Sequence, residues 1–209
     1  MKKYFSILPL LFFLLINNKL PAQNFDINLL KSINKTEGSF KKAYLNTNAD
    51  LVTPLSFGVP AAIALVGFIR HNKQLQKDGL YIAGSYIGSA IITYSIKHIV
   101  QRQRPYQKYT FIIQRAGADN DLSFPSGHTS AAFCTATSIA LRYRKWYFVA
   151  PSYVFATSVA WARMYQGVHY PSDVFAGAVV GAGSAWLGWK AQQWMEKKHK
   201  SHTIINQHW

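Results

Sequence analysis

Beyond the N-terminal segment, five long stretches of this chain carry no charged side chain: residues 51–69, 79–96, 129–141, 146–162 and 174–189. As helices rising about 1.5 Å per residue, the first two are long enough to cross a hydrocarbon core of about 30 Å. A helix on the surface of a soluble domain keeps a polar face; these runs have none that is charged. Only 15% of the residues are charged, against about 25% in soluble domains, and they collect at the edges of the apolar runs. The hydrophobic fraction of 49% excludes a disordered chain. The single cysteine, Cys134, excludes a disulfide framework and a cysteine zinc site. The expected fold is all-α, a transmembrane helical bundle of five to six spanning helices.

The 23 Lys and Arg against 8 Asp and Glu give a formal charge of +15. A nucleic-acid binder gathers such charge on one face or tail. Here it flanks apolar spans, the pattern of positive-inside topology and of contact with membrane lipids, so no nucleic-acid partner is expected. If each run crosses once, Arg70 to Lys77, Arg142 to Lys145 and Lys197 to Lys200 share the cytoplasmic side. The connections 100–125 and 163–172 then share the opposite side, although they too carry arginine.

Four segments are expected. Residues 1–22 start with Lys2 and Lys3, continue apolar over 4–16 and end in Ala22: a signal peptide or a first transmembrane helix. Residues 23–50 are a polar N-terminal segment, in which 26–33 has partial helical periodicity and no assigned chemistry. Residues 51–196 form the functional domain and 197–209 a basic tail. Gly84 and Gly88, four apart, permit close helix contact, and Gly177, Gly181 and Gly188 suggest tight helix packing rather than a ligand loop.

Three groups of residues carry chemistry. Lys97 and Arg104 are seven apart, close to two helical turns, which predicts one shared helix face closed by Pro105; alone, two such cations could serve only to reach lipid headgroups. Ser126, Gly127 and His128 open the third run. There Ser126 can cap a helix, Gly127 lets a ligand approach the backbone, and the helix N-terminus suits a phosphate. Arg163, His169 and Asp173 follow, with Pro171 placed to start a helix. Asp173 is either a first-turn carboxylate favoured by the helix dipole or a hydrogen-bond acceptor that sets the His169 tautomer. All three groups fall on one side of the membrane. Tyr106, Phe124 and Tyr170 beside them read as interfacial aromatics or as the lining of an entry for a lipid chain.

Lys97…Arg104-Pro105, Pro125-Ser126-Gly127-His128 and Arg163…His169…Asp173 together resemble the three signature motifs of the type 2 phosphatidic-acid phosphatase superfamily, which also holds class A acid phosphatases and vanadium haloperoxidases. The resemblance spans 97–173. It implies a membrane-embedded, metal-independent phosphatase without cofactor, hydrolysing a lipid phosphate or diphosphate such as phosphatidic acid, phosphatidylglycerol phosphate, an isoprenyl diphosphate or lipid A. It implies His169 as nucleophile forming a phosphohistidine, Asp173 as its orienting partner, and His128 as acid and then base. Lys97, Arg104 and Arg163 would hold phosphate oxygens, with Ser126 and Gly127 adding hydrogen bonds. No acidic cluster for magnesium is evident, and three cations can supply its electrostatic role. The pattern departs in one place: the family's third motif usually begins Ser-Arg, and here Ala162 precedes Arg163. The implied setting is a bacterial cell membrane with the site facing the periplasm. A soluble periplasmic acid phosphatase, a vanadium haloperoxidase and a non-catalytic lipid-binding scaffold are the alternatives; oligomeric state is not legible.

Overall fold

The computed structural model describes residues 22–35, 39–115 and 122–206. The signal-peptide or first-helix expectation for 1–22 lies, but for its last residue, outside them. Seven helices and no strand occur among the described residues: α1 Ala22–Asn34, α2 Ser39–Ile69, α3 Lys73–Val100, the single turn α4 Pro105–Lys108, α5 Gly127–Tyr143, α6 Trp146–Tyr165 and α7 Pro171–Asn206. The all-helical expectation holds. Two helices outrun the apolar segments that announced them. α2 starts at Ser39 within the polar segment and passes Pro54 and Pro60, and α7 continues through the basic stretch to Asn206.

Local chemistry sets the boundaries. The Asn72 side chain accepts from the N–H groups of Gln74 at 2.9 Å and Leu75 at 3.2 Å, capping α3. Gln101, at φ 49°, closes the other end of α3 in the left-handed region, and Arg144, at φ 48°, closes α5. Pro171 supplies the first residue of α7, where a missing N–H costs nothing.

Among the long helices α2, α3, α5, α6 and α7, α5 touches the other four, most extensively α7. Glycines permit that closeness. A Cβ on Gly177 would stand 2.5 Å from the Ser126 carbonyl oxygen, and one on Gly181 would stand 2.1 Å from that of Ser130. Gly188 packs likewise on Ser85, whereas Gly84 and Gly88 meet nothing within 4 Å. Among the described residues, then, the close helix contact that Gly84 and Gly88 permit is not made at these two positions.

Among the described residues, Asp50–Ile69 and Lys73–Lys108 are long and apolar enough to cross a membrane by length and composition, and only 22% and 33% of their apolar windows are buried. Apolar side chains face outward elsewhere too: Leu80 is 72% exposed and Phe175 73%. Such a girdle belongs in hydrocarbon rather than water. At one end of the bundle Arg142 pairs with Asp78, and Lys77 lies 4.0 Å from Glu196. The opposite end gathers the three motif segments and α1.

Candidate active site

Arg104 reaches this end by a route the residue spacing did not predict. α3 stops at Val100, so Lys97 and Arg104 do not share a helix; Arg104 is the N-cap of α4, and Pro105 begins that turn instead of ending α3. The left-handed Gln101 makes the difference, turning the chain after Lys97. Lys97 is 6% exposed and donates Nζ to the Leu122 carbonyl. Arg104 is 2% exposed and donates Nη1 to the Val168 carbonyl at 3.3 Å, beside the third motif.

A cis peptide joins Phe124 to Pro125 ahead of α5. Ser126 caps α5, its Oγ accepting from the Thr129 N–H at 3.4 Å and the Thr129 hydroxyl at 2.9 Å. Its own N–H donates to the Asp173 carbonyl oxygen at 3.0 Å, which fastens the second motif to the third. The Ser126 amide is thus committed to the protein itself. The start of α5 opens on a cavity of about 260 Å³ lined by Lys97, Gly127 and His128. That cavity continues between α2, α3 and α5 past Val52, Tyr86, Ala90 and Tyr94.

The third motif hangs between α6 and α7. Arg163, 4% exposed, donates Nη1 to Gln166 Oε1 at 3.0 Å. Gly167 turns the chain at φ +74°, where a Cβ would lie 2.6 Å from the Ile113 carbonyl oxygen, so only glycine fits. His169 is 1% exposed and Asp173 fully buried, with His169 Nδ1 3.6 Å from Asp173 Oδ2. That separation is just beyond hydrogen-bond length, and it leaves Nε2 as the ring nitrogen away from the carboxylate. Burial is the main force lowering the His169 pKa; the nearby Asp173 carboxylate opposes it, the Arg163 and Arg104 charges add to it, and the result is about 4. Burial works to raise the Asp173 carboxyl, but contact with His169, the Arg102 charge and Ser123 outweigh it and hold the group below its usual value. At neutral pH the pair is therefore a neutral imidazole beside a carboxylate, the state a nitrogen nucleophile needs.

Lys97, Gly127 and His128 thus line the cavity, while Arg104, Arg163, His169 and Asp173 form a buried cluster at the same end, joined to it through Ser123 and Ser126. Ser123 donates its hydroxyl to Asp173 Oδ2, and the Tyr170 N–H donates to the same oxygen at 2.9 Å. Tyr170 is 3% exposed under the Arg102 guanidinium, and so neither lines an entry nor sits at an interface. Ala162 is fully buried against Ile33 of α1 and Tyr165, an apolar position. Among the described residues no group of three or more His, Cys, Asp or Glu side chains comes together to hold a metal.

Two members of this cluster were not singled out from the sequence. Arg102 Nη1 donates to Asp173 Oδ1 at 2.6 Å, and Arg102 Nη2 donates to Asp26 Oδ2 at 2.8 Å. Arg102 lay between two recognised cations, and Asp26 lay in the segment given no chemistry; the one available signal was a lone acid at the start of an amphipathic stretch.

A family model described as the PAP2 superfamily matches residues 78–197. The chain is 26% identical to the undecaprenyl-diphosphatase of Sulfolobus acidocaldarius over 90% of its own length and 91% of the relative's. It is 31% identical to the undecaprenyl-diphosphatase BcrC of Bacillus subtilis over 68% of its length and 72% of that protein. The fold matches the crystal structure of a transmembrane PAP2 type phosphatidylglycerolphosphate phosphatase from Bacillus subtilis, with a TM-score of 0.72 and 21% identity, covering 90% of this chain and 94% of that one. The matched residues run from the start of α3 into α7 and contain all three motifs, and the chain belongs to the PAP2 superfamily.

Proposed function

We propose that the site takes the phosphate or diphosphate headgroup of a membrane lipid and hydrolyses it through a phosphohistidine on His169. That the protein is a membrane lipid phosphatase follows from its family and its named relatives. The finer reading rests on one observation above all: a buried neutral His169 beside Asp173 lies next to Arg104 and Arg163, at the same end of the bundle as the cavity lined by Lys97 and His128.

The His169 Nε2 lone pair attacks phosphorus, the bond to the leaving oxygen breaks, and that oxygen takes a proton from His128. His128 then accepts a proton from water as the water oxygen attacks phosphorus; the P–N bond breaks, releasing phosphate and restoring His169. Asp173 stabilises the positive charge on the ring during attack. Lys97, Arg104 and Arg163 hold the non-bridging oxygens, and the first turn of α5, whose N–H groups lack intrahelical acceptors, adds to that charge stabilisation. Nothing in this sequence of steps requires a metal.

The two relatives named above are undecaprenyl diphosphatases, so a polyprenyl diphosphate heads the substrate panel, ahead of phosphatidic acid and phosphatidylglycerol phosphate. The lipid tail runs along the cavity between α2, α3 and α5. The basic end, with Arg70, Lys73, Arg144 and Lys145, faces the cytoplasm and the site faces the periplasm of a multi-pass protein. The test is phosphate release by the purified protein in detergent with a chelator present. Release from a lipid diphosphate that disappears in His169→Ala is the expected result; equal release by that variant sinks the mechanism.

A further inference from the structure

The outer side of the His169–Asp173 pair is built by residues that belong to no motif. Asp26, on α1 and 6% exposed, accepts from Arg102 Nη2 at 2.8 Å and from the Ser172 N–H at 2.9 Å, and Ser172 Oγ donates to it as well. Arg102 directs Nη1 to Asp173 Oδ1 at 2.6 Å and to Ser172 Oγ at 2.7 Å. Its guanidinium lies 3.7 Å from the centroid of the Tyr170 ring. The fork is thus held by a carboxylate on each side and a ring on its face.

We propose that Asp26 and Arg102 are positioning residues for the reaction: Asp26 holds the Arg102 fork, and Arg102 holds Asp173 Oδ1 so that Oδ2 stays turned to His169. This rests on the phosphohistidine reading above. The reason is electrostatic as well as geometric. An arginine alone beside Asp173 would neutralise the carboxylate that must stabilise the imidazolium formed on attack. Asp26 offsets that charge, so the chain Asp26–Arg102–Asp173 keeps one net negative charge facing His169. Asp26 lies outside the residues 78–197 matched by the family model, so this part of the machinery comes from α1.

Around the pair are Asp26 from α1, Arg102 and Arg104 from the segment after α3, Arg163 from α6 and Tyr170 ahead of α7, with Tyr106 and Tyr109 packed beside Tyr170; Lys97 and His128 line the cavity at the same end. Removing the Arg102 charge leaves Asp173 more basic and His169 easier to protonate, so the acid limb of kcat/KM moves to higher pH. Removing the Asp26 charge cannot move it that way.

The experiment compares Asp26→Asn, Asp26→Glu, Arg102→Gln, the double variant D26N/R102Q and His169→Ala. Each is purified in detergent and assayed for phosphate release from farnesyl diphosphate and dioleoyl phosphatidic acid across pH. Asp26→Asn is expected to lower kcat about ten- to hundredfold with KM changed less than about twofold, the loss of one charged hydrogen bond at the reacting centre. Asp26→Glu restores most of kcat, and the double variant is no worse than Arg102→Gln alone, as for residues acting through one another. Arg102→Gln shifts the acid limb upward. Wild-type kcat in Asp26→Asn overturns the proposal. So do losses that multiply in the double variant, or losses that follow only the folded fraction while the limb stays in place. Should Asp26→Asn not accumulate, the limb of Arg102→Gln decides alone. Phosphate release by His169→Ala would overturn the phosphohistidine reading itself, whereas an inactive His169→Ala beside a fully active Asp26→Asn overturns only the role of Asp26.

Discussion

At His169, burial and two neighbouring arginines act in one direction and Asp173 in the other, and burial with the arginines wins. The sign matters for activity. A histidine whose pKa is lowered stays neutral, and so nucleophilic, as pH falls below its usual 6.5, and is lost only on approaching about 4. The acid limb of kcat/KM for the free enzyme is therefore expected well below pH 6. A pH–rate profile on a lipid diphosphate checks it; a limb at 6.5 would mean that solvent reaches the ring. The residues at this scale were legible together rather than one at a time, through the agreement of three groups on one side of the membrane. His128, His169 and Asp173 stand out by type and spacing, whereas the meaning of Ala162 was not: only its contact with Ile33 shows the position to be apolar.

Among the elements, α5 and α7 depend on each other through small residues. Gly177 lies against Ser126, whose N–H reaches the Asp173 carbonyl at 3.0 Å. A methyl at 177 must push the start of α5 away from the start of α7, since the atom it meets is backbone. Gly177→Ala is expected to lower kcat at least about tenfold, because catalytic geometry tolerates displacements of well under 1 Å. Gly84→Ala, with nothing within 4 Å, should match wild type in the same assay. Equal rates in the two variants would show that the α5–α7 contact does not tune the site. α1 is the element whose importance the sequence concealed. Its periodicity marks a helix, and Leu30 and Ile33 are indeed buried, but nothing local connects Asp26 with Arg102, 76 residues away.

For the whole molecule, the two ends divide the labour. The end opposite the site is closed by Arg142 and Asp78, with Gln74 Nε2 donating to Asp78 Oδ1 at 2.7 Å. The carboxylate is 4% exposed and the guanidinium 20%, so Asp78→Ala leaves a largely buried charge without its partner. The expected cost is about 1–3 kcal/mol, discounted from the about 3–5 kcal/mol of a fully buried pair. Thermal unfolding in detergent should register that loss, while kcat on the surviving folded protein stays within about twofold. A fall in kcat without a fall in thermal stability would instead couple this end to the site.

The uncharged runs, the edge placement of the charges and the three motifs determine by themselves an all-helical membrane protein with a phosphate site, because span length, desolvation cost and residue chemistry are local properties of the chain. The tertiary structure alone decided that Arg104 arrives from a separate turn rather than from the helix bearing Lys97, and that Ser126 fastens α5 to α7. It also decided that Asp26 and Arg102 close around Asp173. Each of these depends on where a chain end, a left-handed residue or a distant helix lies in space, and side-chain identity carries no information about distance between elements far apart in sequence.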